Sequence, residues 1–129
     1  MKAFTLFGFF VSLLLVLGNN AAAQHSSSWK EMDTFHDVMS ETFHPSEDGN
    51  LQPIKSRIDE MVNKAKAWQK SAVPDKYDAK KSKEKLKELV KGAESLRKTI
   101  RNNGSDADIT KQLSDLHDVF HDIMEKCRK

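Results

Sequence analysis

The sequence predicts an all-α fold, an antiparallel up-down-up-down four-helix bundle over residues 24–129. Three observations predict it. Four segments carry apolar residues at steps of three and four, the spacing of one helix face. No stretch alternates as a half-buried strand does. The connections are short and rich in turn residues, and short loops make neighbouring helices antiparallel.

Residues 1–23 stand apart. Met1-Lys2 precede an apolar run from Ala3 to Gly18, and Ala21-Ala22-Ala23 follow Asn19-Asn20. A basic start, an apolar middle and small residues at an A-x-A site predict a secretory signal peptide cleaved after Ala23. The run is shorter than the roughly 20 apolar residues of a membrane span, which makes an uncleaved anchor the weaker alternative. No cysteine follows the small residues, so a lipid anchor is not expected. Gln24 to Lys129 is then a periplasmic or secreted protein with no membrane association after cleavage.

Helix one is expected to begin after Ser27 or Ser28 as N-cap, with Trp29, Met32, His36, Met39 and Phe43 on its apolar face. It is expected to end before Pro45, because the residue preceding a proline avoids the helical region. Pro45 to Asn50 form a turn cluster. Helix two should start near Pro53, which suits a first turn. Its inward residues are Ile54, Ile58, Met61, Ala65 and Trp68, and it should stop around Ala72.

Helix three is expected from about Asp78 to Arg101, with Leu86, Leu89, Val90, Ala93, Leu96 and Ile100 inward. Its lysines, Lys80 to Lys91, read best as a solvated face, because acids elsewhere leave the chain nearly neutral. Asn102-Asn103-Gly104 should end it with glycine at the cap. Ser105 with Asp108 resembles a capping box for helix four, from about Asp106 to Cys127.

Loss of Lys2 leaves 20 basic against 19 acidic residues, a balance that argues against a nucleic-acid binder. The one cysteine, Cys127, excludes an intramolecular disulfide. In an oxidising compartment it is a free thiol, a metal ligand or the bridge of a Cys127-linked dimer, so both monomer and dimer stay open.

Candidate ligands concentrate on helices one and four. Leu113, Leu116, Phe120, Ile123 and Cys127 form one stripe, and His117, His121 and Met124 lie beside it at steps of four and three. Helices one and four are antiparallel neighbours in such a bundle. If Met32 lies level with His121, His36 lies level with His117. Four ligands would then share about one turn. Each residue also has a plain reading: His36 as a core histidine, His121 as a rim residue, His44 as a helix-end residue meeting the last carbonyls, and the methionines as core filler.

Catalytic machinery is not expected, and the protein reads as a non-enzyme. The chain lacks C-x-x-C-H, H-E-x-x-H and a glycine-rich phosphate loop. The doubled Glu-x-x-His of di-iron bundles is missing, since Ser114 and Asp118 precede His117 and His121 at that spacing.

Trp29-Lys30-Glu31-Met32-Asp33-Thr34-Phe35 and the closing Phe120-His121 before Lys126, Arg128 and Lys129 resemble the ends of the cytochrome b562 family. Val73-Pro74 falls where that family has a proline-containing loop. The resemblance implies an exported four-helix bundle holding haem b non-covalently for electron transfer. It implies Met32 and His121 as the axial ligands and a redox partner protein. Departures from the pattern, above all His36 in the space of a porphyrin together with His117 and Cys127, point instead to a bare copper or zinc ion. Its ligands would be His36, His117 and His121, with Met32 or Met124 nearby; imidazole suits both metals, and thioether tilts towards Cu(I). A ligand-free helical interaction protein is the third reading.

Overall fold

A computed structural model describes residues 29–129. The expected signal peptide lies outside the described residues, as do Ser27 and Ser28. Four helices follow one another: α1 (Lys30–Glu47), α2 (Gln52–Lys70), α3 (Ala79–Arg101) and α4 (Asp106–Lys126). Consecutive helices pack along their lengths, and α1 closes the ring more sparsely against α4. This is the four-helix bundle that the apolar periodicity predicts. No helix among the described residues is long and apolar enough to cross a membrane.

Local chemistry sets the helix ends. Asp78 accepts the Lys81 N–H at 2.9 Å and Ser105 accepts the Asp108 N–H at 3.1 Å, each satisfying a first-turn donor that has no intrahelical partner. The N-cap of α1 is Trp29, without a side-chain cap. Pro45 does not stop α1 as expected. It lies inside the helix, and its carbonyl accepts from the Asp48 and Asn50 N–H groups at 3.1 and 3.0 Å. Gly49, with φ +81°, donates to Ser46 at 3.0 Å. Those bonds make a Schellman closure, which satisfies carbonyls of the last turn of α1.

The same closure ends α3, with one change from expectation. The left-handed residue is Asn103, φ +54°, and not Gly104. Asn103 N–H donates to Ile100 at 3.1 Å and Gly104 N–H to Thr99 at 2.8 Å. Gly104 serves close approach instead: a Cβ there would stand 2.4 Å from Thr99 Cγ2 and 3.0 Å from its carbonyl oxygen.

The core takes the expected faces of α2 and α4, and of α3 except for half-buried Ile100. On α1 the stripe rotates by about one residue. Phe35, Val38 and Thr42 are buried with Met32 and Met39, whereas His36 is exposed and Phe43 is half-buried. Neighbouring residues differ by about 100° on a helix, so steps of three and four leave the choice between Phe35 and His36 open. Phe35 wins because it buries more apolar surface and no polar nitrogen.

Aromatic rings fasten one end of the bundle. Trp29 meets Trp68 edge-on at 5.6 Å and Tyr77 at 5.1 Å, and its indole N–H donates to the Ser71 hydroxyl at 2.8 Å. The C-terminal residues lie along the α2–α3 connection. Asp78 N–H donates to the Cys127 carbonyl at 2.7 Å, and Lys129 N–H to the Lys76 carbonyl at 2.9 Å. At the opposite end, Lys55 pairs with Asp106 and Arg101 with Asp59, at 3.1 and 2.9 Å. These pairs are largely exposed, so each contributes about 0–1 kcal/mol, and the core carries the stability.

Candidate metal centre

The seam between α1 and α4 gathers four of the chain's five histidines. On α4, His117 and His121 are one turn apart on one face, and their Nε2 atoms stand 3.2 Å from each other. On α1, His36, Ser40 and His44 recur every four residues along one row. The two helices interleave ring by ring: His36 stacks on Phe120 at 5.2 Å and 7°, and Phe43 on His117 at 3.9 Å and 6°.

That interleaving replaces the expected register. His36 lies level with Phe120, not with His117, and His117 lies level with Phe43. The helices are shifted by about a turn from an alignment of Met32 with His121. Contacts between the rings of Phe35 and Phe120, 5.9 Å apart, set the register, and helical periodicity alone does not encode it.

Met32 is 2% exposed, and the Tyr77 hydroxyl donates to its Sδ at 3.8 Å. His121 occupies the rim, with its side chain 39% exposed. A porphyrin between them would need the space that Phe35, Trp68 and Phe120 fill, whose rings are within about 6 Å of one another. Two grooves of about 240 and 380 Å³ run along α3 and α4, one beside Leu116 and Val119, the other beside Lys85, Asp122 and Cys127. Neither is lined by Met32 or His121.

A bare ion fits the histidine pair better. Two Zn–N bonds of about 2.0–2.1 Å place their nitrogens about 2.9 Å apart at a right angle and about 3.4 Å apart at a tetrahedral one. The observed 3.2 Å lies between those limits. The same distance suits an N–H···N bond from one imidazole to the other. Glu125 resolves the roles: its carboxylate meets His121 Nδ1 at 3.3 Å and can only accept, so Nδ1 carries the hydrogen. In the neutral ring, Nε2 is then the acceptor facing His117. A carboxylate behind a histidine is the usual outer partner of a metal-bound imidazole.

Charge favours the same state. Burial, then the neighbouring His121, pushes the His117 pKa below the ordinary imidazole value, with Asp118 and Glu47 pulling the other way. Neutral imidazole is the form that binds metal, and the shift favours that form. For both Nε2 atoms to hold an ion, the hydrogen of His117 would have to sit on Nδ1.

His44 turns away from the last carbonyls of α1 and meets Glu47 through Nδ1 at 3.1 Å, with its side chain 67% exposed. Among the described residues, no three His, Cys, Asp or Glu side chains already converge as a complete metal-binding group. Met124 is half-buried beside the core. Cys127 is 2% exposed, and burial raises its thiol pKa while the Ser82 hydroxyl opposes that shift. A disulfide from Cys127 to a second molecule would need the C-terminal turn to open. Sequence reasoning missed Glu125 and Glu47, yet their spacing from His121 and His44, at i+4 and i+3, is the signal that finds them.

Comparison of the chain with protein-family models, with curated proteins and with solved structures finds no match.

Proposed function

We propose that this protein binds a divalent transition-metal ion, zinc or copper(II), at the α1–α4 seam through His117 and His121. The observation that carries the reading is the 3.2 Å approach of two Nε2 atoms, one of them oriented by Glu125. Imidazole nitrogens and carboxylates suit these borderline ions. The tilt towards Cu(I) weakens because Met32 Sδ is buried under the Tyr77 hydroxyl. With the signal peptide read from residues 1–23, the ion would be held outside the cytoplasm, for storage, delivery or sensing.

The test titrates residues 24–129 with Zn(II), Cu(II) and hemin and follows thermal unfolding and the absorption spectrum. An ion bound only by the folded chain raises the melting temperature, by about 2.7 kcal/mol of added stability at a hundredfold excess over Kd. His117→Ala and His121→Ala should each remove that rise. A rise that survives both substitutions would overturn the assignment. A sharp Soret band with hemin and no response to either ion would restore the haem b reading through Met32 and His121. No response to any of them would leave the helical interaction protein.

A further inference from the structure

The near-neutral total conceals a division. In the ring of helices, α2 and α3 together hold fourteen lysines and arginines against five acids, while α1 and α4 hold three against eleven. One side of the bundle is therefore strongly basic and the opposite side strongly acidic. The two outer faces stand about two helix diameters apart, roughly 20 Å, against a screening length of about 10 Å at 0.1 M salt. The acids of one side thus do not cancel the field in front of the other.

On the basic side the acids are already taken. Asp59 pairs with Arg97 and Arg101, Glu60 with Arg57, Glu88 with Lys85 and Glu94 with Lys66. Among the described residues, Glu84 alone of these five acids enters no ion pair, and neither do Lys80, Lys87, Lys91 and Lys98. Those four lysines follow one another at steps of seven, four and seven, on the side of α3 opposite its buried Leu86, Leu89, Ala93 and Leu96, and all four are exposed. They form an uncompensated ridge about 27 Å long, at 1.5 Å per residue.

We infer that this ridge docks the protein on an anionic lipid bilayer, with the α1–α4 seam turned away from the lipid. The inference stands apart from the metal-binding reading, and it reverses the expectations of a merely solvated lysine face and of no membrane association. Clustered lysines beside an anionic bilayer each add to binding, and about four to eight of them suffice for a lipid-headgroup site. A flat surface meets one side of the bundle only, whereas a flexible polyanion that wraps meets the eleven acids of the other. The ridge also lacks what nucleic-acid binding uses: no aromatic ring interleaves for base stacking, and Arg97 and Arg101 are held by Asp59. A second copy suits it less, because Lys, Glu and Asp are depleted from protein interfaces. The other residues of the ridge face are Glu84 and Ser95, so the protein lies on the headgroups without inserting, and salt releases it.

The experiment co-sediments residues 24–129 with vesicles of phosphatidylglycerol and phosphatidylcholine, and with vesicles of phosphatidylcholine alone. Binding should occur only to the anionic vesicles at low salt and be lost at about 0.5 M salt. Each lysine at the surface raises the partition coefficient about fivefold, so Lys87→Gln with Lys91→Gln should weaken binding about twenty-five-fold. Lys30→Gln with Lys111→Gln removes the same charge from the acidic side and should bind as wild type does. Melting temperatures report that the variants fold, since all four substituted positions are exposed. On the vesicles, acetylation of Lys80, Lys87, Lys91 and Lys98 should slow, and that of Lys30 and Lys111 should not.

Equal losses in the two double variants would overturn the ridge, by showing that net charge alone sets binding. Binding to a DNA duplex without binding to anionic vesicles would overturn the lipid assignment in favour of nucleic acid. Salt-sensitive self-association without vesicle binding would overturn it in favour of a second copy. Equal partition onto phosphatidylcholine alone, or none onto either vesicle, would also overturn it.

Discussion

Phe43 covers the ring of His117 face to face, with centroids 3.9 Å apart and planes 6° from parallel. That cover is part of the burial that lowers the His117 pKa. Phe43→Leu keeps apolar volume at the seam but admits water to the imidazole face. The His117 pKa, followed by NMR, should then rise towards the ordinary value. An unchanged pKa would show that the rest of the seam supplies the desolvation.

Acid should weaken the metal-free fold through the same residue. Folded His117 titrates below the unfolded chain, so between the two values the unfolded chain holds the extra proton. The stability it contributes is complete above about pH 6.5 and is lost as pH falls through the lower native value. His117→Phe preserves an aromatic partner for Phe43 and removes that dependence. Urea midpoints at pH 7.5 and pH 5 should differ more for wild type than for the variant; equal differences would refute the linkage.

Gly104 and Asn103 separate two kinds of cost at the end of α3. A Cβ on Gly104 meets Thr99 at 2.4 Å, so Gly104→Ala should destabilise by about 1–3 kcal/mol through overpacking. Thr99→Ser removes the clashing methyl and should recover part of that loss in a double-mutant cycle. Asn103→Ala should cost about 1–2 kcal/mol from its left-handed backbone alone, and Asn103→Gly should not. If Gly104→Ala costs nothing, the close approach to Thr99 is not enforced in solution.

Cys127 should resist alkylation in the native protein. Its thiol is 2% exposed and burial holds its pKa up, which reduces the reactive thiolate. A single bridge, Tyr77–Arg128 with its two backbone hydrogen bonds, ties the C-terminal turn to the α2–α3 connection. In rising urea, labelling should therefore begin before the global transition. Labelling that coincides with unfolding would mean the turn opens only with the core.

Most of the fold was legible because helix faces and caps are local. Asp78 and Ser105 announce α3 and α4, and Ile54, Ile58, Met61, Ala65 and Trp68 spell the buried face of α2. Less legible was anything decided between elements. Pro45 reads as a stop, yet the helix runs through it to a closure formed by the residues after it. Phe35 and His36 compete for one inward direction, and only the rings opposite choose between them. The candidate site shared that fate. His117 and His121 belong to one helix, so their spacing showed in the sequence, whereas the level of α1 against α4 depended on Phe35 and Phe120.

Among the described residues, the α1–α4 seam is also the one helix contact without a connecting loop. The other three join sequence neighbours and can form as hairpins while the chain is still lengthening. Joining α1 to α4 must instead bring together segments some seventy residues apart, after the loop entropy of the whole domain is lost. The histidine pair thus sits on the helix contact with the longest loop to close, a clasp on the bundle.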